Sequence, residues 1–98
     1  MKMLVEFDVD ADIVDVPKTV IDNREMMRRR FLKWVYKNPK YRVKIVSGSG
    51  SVYYGVQYRS EAFVEWLNKK ILTDEKASVI AQSVAIDENN KQLPSIFF

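Results

Sequence analysis

The chain has 98 residues, 47% of them hydrophobic, with two Trp, five Tyr, five Phe, a net charge of +3, and neither Cys nor His. That composition fits one domain, residues 1–98, with apolar material for a single core and more hydrophobicity than a disordered chain carries. The missing Cys and His exclude disulfides, thiolate zinc sites and a cysteine nucleophile and remove the commonest general base, so the expectation is a binding protein that is no enzyme and uses no cofactor.

Residues 3–13 alternate, with Met3, Val5, Phe7, Val9, Ala11 and Ile13 on one side and Leu4, Glu6, Asp8, Asp10 and Asp12 on the other. Period two predicts one half-buried strand, closed by Pro17, which cannot donate to a ladder. Its four carboxylates would share one face. Asp8-Val9-Asp10-Ala11-Asp12 opens like a calcium loop, but Ile13 occupies the glycine position and Thr19 the place of the bidentate Glu. The expectation is therefore a solvated strand face and no metal. Such a row needs opposite charges beside it, which predicts that strand 3–13 neighbours strand 41–46, with Glu6 or Asp8 across from Arg42 or Lys44.

Asp22 and Glu25 have capping-box spacing, and Met27, Phe31 and Trp34 then recur at helical intervals until Asn38-Pro39, predicting a helix over 22–37. Two alternating runs, Tyr41 to Ile45 and Val52 to Tyr58, flank Ser47-Gly48-Ser49-Gly50-Ser51 and predict a hairpin with that loop at its tip. The loop leads into a strand and has no lysine, so it is not a phosphate-binding P-loop. Ser60, with Glu61 after it, is expected to cap a helix over 61–71 whose stripe is Phe63, Trp66, Leu67 and Ile71. Trp34, Trp66, Phe31, Phe63, Tyr54 and Tyr58 are assigned to the core. Residues 74–86 fit a helix or a strand. Their β-branched content favours strand, with a turn at Asp87-Glu88-Asn89-Asn90 and a short strand at Ser95-Ile96-Phe97-Phe98.

The order β-α-β-β-α-(β-β) implies an α+β fold, a mixed or antiparallel sheet with two helices packed on one face. The first helix is long enough for a right-handed crossover if the strands it joins lie parallel in one sheet. Glu6 and Asp8 come too early for a signal peptide, and no window approaches the roughly 18 apolar residues of a membrane span, so a cytoplasmic protein with no membrane partner is expected.

Charge is polarised along the chain. Residues 1–16 set one base against five acids, a net −4, while residues 17–44 set ten bases against two acids, a net +8. On the helix, Arg29, Arg30, Lys33 and Lys37 form a basic stripe suited to phosphate oxygens or to an acidic protein surface. Arg42 and Lys44 on the hairpin are further candidates, and Tyr36 and Tyr53 are aromatics placed to stack on bases. No helix-turn-helix, zinc-finger or RNA-recognition pattern accompanies them.

The segments Met3-Leu4-Val5-Glu6-Phe7, Phe31-Leu32-Lys33-Trp34-Val35-Tyr36, Ser60-Glu61-Ala62-Phe63-Val64-Glu65-Trp66-Leu67-Asn68 and Leu93-Pro94-Ser95-Ile96-Phe97-Phe98 together resemble small, uncharacterised proteins encoded by phages and prophages of Gram-positive bacteria. The resemblance implies an accessory protein that binds host or defence machinery. The expected partner is a host or defence protein with an acidic surface, the chain serving as an inhibitor of a nucleic-acid enzyme or of a defence system. DNA or RNA bound by the same basic surface is the alternative. The sequence leaves the oligomeric state open.

Overall fold

The alternation over residues 3–13 folds as two strands rather than one. In the computed structural model, which describes residues 1–98, β1 (Lys2–Glu6) and β2 (Ala11–Asp15) pair antiparallel. The Phe7 N–H donates to the Asp10 carbonyl (2.8 Å), closing a turn over residues 7–10. Four turn residues change the parity of the pattern. Val5 lies opposite Asp12 and Met3 opposite Val14, and directly opposed residues share a face. Met3, Val5 and Val14 enter the core together, and Asp12 goes to their side instead of facing water with Glu6 and Asp8.

The first helical region is broken at Asn23 into α1 (Lys18–Asp22) and α2 (Arg24–Lys37). The expected capping box does not form: Asp22 accepts from Lys18 (2.9 Å), and α2 starts without a side-chain cap. Met27, Phe31 and Val35, spaced four apart, are its buried stripe. It ends at Asn38-Pro39 as expected. A 3-10 turn over Pro39–Tyr41 follows, with the Asn38 carboxamide accepting from the Lys40 N–H (3.0 Å).

The hairpin is β3 (Arg42–Val46) and β4 (Val52–Val56). Its tip is a turn in which the Gly50 N–H donates to Ser47 (3.0 Å), and Gly50 takes the left-handed φ of 85° that glycine accepts without strain. Helix α3 (Ser60–Trp66) runs on as a π turn over Leu67–Ile71, with the Leu72 N–H reaching back to the Leu67 carbonyl (2.8 Å). The tail is β5 (Ser78–Val84), a turn in which the Asp87 side chain accepts from the Asn89 N–H (2.9 Å) and the Asn90 N–H (3.2 Å), and β6 (Ser95–Phe97). The strand, turn, strand reading of the tail therefore holds.

The main sheet has the order β5-β2-β1-β6, antiparallel except for the parallel pair β1–β6, and the hairpin is a sheet of its own. This is the α+β class expected. The predicted pairing of strand 3–13 with strand 41–46 is wrong for a simple reason: both edges of β1 and both edges of β2 are already occupied. Glu6 and Asp8 therefore do not meet Arg42 or Lys44. The helix expected to cross between the first strand and the hairpin joins different sheets, and the parallel partner of β1 is β6.

Helices and sheet meet over an aromatic cluster centred on Phe31. Its ring lies 5.2 to 5.3 Å from those of Phe98, Tyr58 and Phe63 in edge-on geometry, and 5.9 Å from Trp66. Phe31 and Phe63 are fully buried and Trp66 nearly so, while Trp34 packs at the margin. Edge-to-face contacts add to the apolar burial. Phe31→Ala is expected to cost about 3–5 kcal/mol in chemical denaturation, whereas Tyr54→Ala, on an exposed strand position, should stay within about 0.5 kcal/mol.

Candidate functional site

Two charge clusters are consumed in holding the fold, and they define by contrast what is left over. The first is around Asp12, wholly buried on β2. Arg59 Nη2 donates to its Oδ1 (2.6 Å), the Ser83 N–H donates to the same oxygen (2.9 Å), and the Ser60 hydroxyl donates to Oδ2. Arg59 also forms an ion pair with Asp10 Oδ1 at 2.9 Å, and its guanidinium lies 4.1 Å from the centroid of the Phe7 ring. Burial alone would raise the Asp12 carboxyl. The hydrogen bonds from Ser60, Ser83 and Arg59 outweigh it and hold the group below its ordinary value. Ser60 was expected to cap its own helix. Its hydroxyl serves Asp12 instead, and α3 starts without a side-chain cap.

The second cluster is around Glu65 of α3. Lys40 (2.9 Å), the Tyr41 hydroxyl and Lys69 (3.1 Å) all donate to it. The hydrogen bonds from Lys40 and then Tyr41 dominate and lower the carboxyl to about 2, against the opposing effect of burial. Burial and the Glu65 carboxylate push the Tyr41 hydroxyl up, so it remains the donor. This cluster ties the base of the hairpin to α3, because β3 begins one residue after Tyr41.

The predicted binding residues are in neither cluster. Arg29, Arg30, Lys33 and Lys37 on α2, and Arg42 and Lys44 on β3, are all exposed, and none forms an ion pair. Lys40, at the end of the same run, is held by Glu65. On α2 the spacing of Arg29, Lys33 and Tyr36 at i, i+4 and i+7 places them on one face, opposite the buried stripe, with Arg30 and Lys37 beside them. Tyr36 then meets the hairpin. With Arg42, Lys44, Tyr54 and the strand backbone at Val43 and Gly55 it lines an open groove of about 670 Å³. The hairpin cations thus line the groove directly, and the helix stripe reaches it through Tyr36.

The hairpin stands out from the body. Neither strand packs extensively on another element, and the Cα radius of gyration is 14.7 Å against about 13 Å for a typical hundred-residue domain. Val46, Val52, Tyr53 and Tyr54 are each at least half exposed, Tyr54 at 73%. Tyr54 was assigned to the core, and the register corrects this. A loop centred on Ser49 pairs Lys44 with Tyr54 and Arg42 with Val56, so Tyr54 shares the cationic face. That signal lay in the loop length, since fixing the loop's centre fixes which residues share a side.

No protein-family model, curated protein or solved structure matches the chain. No helix is long and apolar enough to cross a membrane.

The two lowered carboxyls carry a pH dependence. Both bind protons more weakly in the folded than in the unfolded chain, so their contribution is complete above the ordinary carboxylate range, about pH 4–5, and is lost as pH falls through the folded values, near 2 for Glu65. Stability in urea is expected to be flat from neutral pH to about 5 and to decline below it. Asp12→Ala strands the buried Ser60 hydroxyl and the half-buried Ser83 N–H and should cost about 2–4 kcal/mol at pH 7 and distinctly less at pH 2.

Proposed function

We propose that the chain is a non-catalytic binding protein that docks the surface made by α2 and the β3–β4 hairpin onto a host protein bearing acidic groups. One observation carries this reading: Arg42 and Lys44 line a single groove with Tyr36 and Tyr54, and these two cations, like Arg29 and Lys33 on the Tyr36 face of α2, are exposed and without intramolecular anions. Exposed cations without partners are free to meet carboxylates, and arginine with tyrosine is the pairing enriched at the energetic centres of protein interfaces. The exposed Val46 and Val52 on the same hairpin face extend the surface with aliphatic contact area, which suits a folded protein partner better than a phosphate backbone. The resemblance to phage and prophage proteins supports the same assignment, with a host or defence protein as target and inhibition as the outcome.

A second reading rests on the two tyrosines flanking the groove. Aromatic rings beside Arg and Lys are the elements of a single-stranded nucleic-acid platform, with bases on the rings and phosphates on the cations.

Capture of a host protein by the immobilised chain, repeated after nuclease treatment and with Arg29→Glu/Lys33→Glu, separates the two. The expected result is a defined partner that survives nuclease, is lost with the double variant and binds again when purified. Loss on nuclease treatment, together with a gel shift of a single-stranded oligonucleotide whose affinity falls steeply with salt, would transfer the surface to nucleic acid.

A further inference from the structure

We propose that two copies of this chain associate through the outer edge of β4, antiparallel about a two-fold axis at Tyr54. The hydrogen-bond pattern of the hairpin exposes that edge. The Ser47 N–H donates to Ser51 and the Gln57 N–H to Tyr41, both at 2.9 Å. In an antiparallel ladder bonded pairs alternate with unbonded ones, so 43/55 and 45/53 bond inward while the N–H and C=O groups of Val52, Tyr54 and Val56 point away from β3.

Three features select a second copy as the occupant. The first is self-complementarity. Valine, tyrosine and valine at 52, 54 and 56 read the same in both directions, so a two-fold pairing sets Val52 against Val56 and Tyr54 against its equivalent. The second is charge. The outer edge of β3 carries Arg42 and Lys44, which repel a like edge, whereas β4 has no charged residue, proline or bulge and so lacks the devices that keep edges apart. In the pair, the two β3 strands would lie about 14 Å apart, three strand spacings, beyond the screening length of about 8 Å at physiological salt. The third is the contrast with the main sheet. The Phe97 carbonyl on β6 is covered by Arg28 Nε at 2.6 Å, and β5 is broken by register shifts and by Ser83 at a φ of 53°.

A lone two-stranded ribbon is marginal in water, and a four-stranded sheet β3-β4-β4-β3 removes that weakness. Pairing uses the backbone and the side chains of β4 alone, so Tyr36, Arg42 and Lys44 stay free, and each copy brings its own basic groove to one enlarged surface with a second Tyr54 beside it.

Sedimentation velocity over a wide concentration range tests the proposal. The weight-average mass should rise from 11.5 kDa towards twice that value. Tyr54→Lys sets like charges across the axis and should weaken association at least about tenfold, while Lys44→Glu on the other edge and Arg29→Glu/Lys33→Glu on α2 should leave it unchanged. Circular dichroism confirms that each variant is folded, and Val52→Lys repeats the test on the same edge should Tyr54→Lys fail to fold. A mass fixed at the monomer value throughout, or a rise that survives both β4 variants, overturns the proposal. Because the α2 variant removes host capture without touching β4, failure of the edge pairing and failure of the docking surface are read separately.

Discussion

One buried carboxylate organises this fold. Asp12 has no access to water, and its two oxygens are answered from two distant parts of the chain: Arg59 and Ser60 at the entry to α3, and the Ser83 backbone on β5. A buried charge without such partners would be strongly unfavourable, so these two segments are constrained to converge where Asp12 lies. The constraint also explains a local irregularity. Ser83 adopts a left-handed conformation, and β5 shifts register against β2, at the place where the Ser83 N–H turns towards the carboxylate.

The same interaction accounts for the acidic leader. Asp10 and Asp12 are matched by Arg59, close to fifty residues away in sequence, and not by the basic run that follows them. Asp8 sits exposed at the turn. With the acids matched elsewhere and Glu65 taking only Lys40 and Lys69, the cations of α2 and β3 remain uncompensated. The polarity of the sequence thus survives folding as a polarity of the surface.

Elements with strong local signals were legible in advance. The Met27 and Phe31 positions of the α2 stripe, the Asn38-Pro39 stop, the hairpin around the serine-glycine loop and the strand character of the tail all follow from periodicity and turn chemistry, whereas Val35 rather than Trp34 completes the stripe. What escaped is non-local. Residues 7–10 form a turn that leaves the apolar alternation looking unbroken while changing which side it faces, so Asp12 was read as solvated. Ser60 has the right chemistry and position for a cap, and only the arrival of Asp12 from a distant strand diverts its hydroxyl. The basic site was partly legible: the six cations were identifiable as charges, but the groove that Arg42 and Lys44 form with Tyr36 and Tyr54 depends on how the hairpin lies relative to α2.

That relation is fixed at a small root. Lys40 and Tyr41 grip Glu65, the Tyr41 ring lies 5.9 Å from that of Trp34, and at the end of the other strand Val56 and Tyr58 pack against the core. Beyond that root the hairpin projects as an arm. Five extended residues span about 17 Å, so a swing of about 10° at the root carries the tip about 3 Å. Glu65 hydrogen-bonds none of the groove's lining residues, yet with the packing of Trp34 it holds the root from which Tyr54 and Lys44 extend. The shape that a partner meets is set on α3, at the far end of the arm.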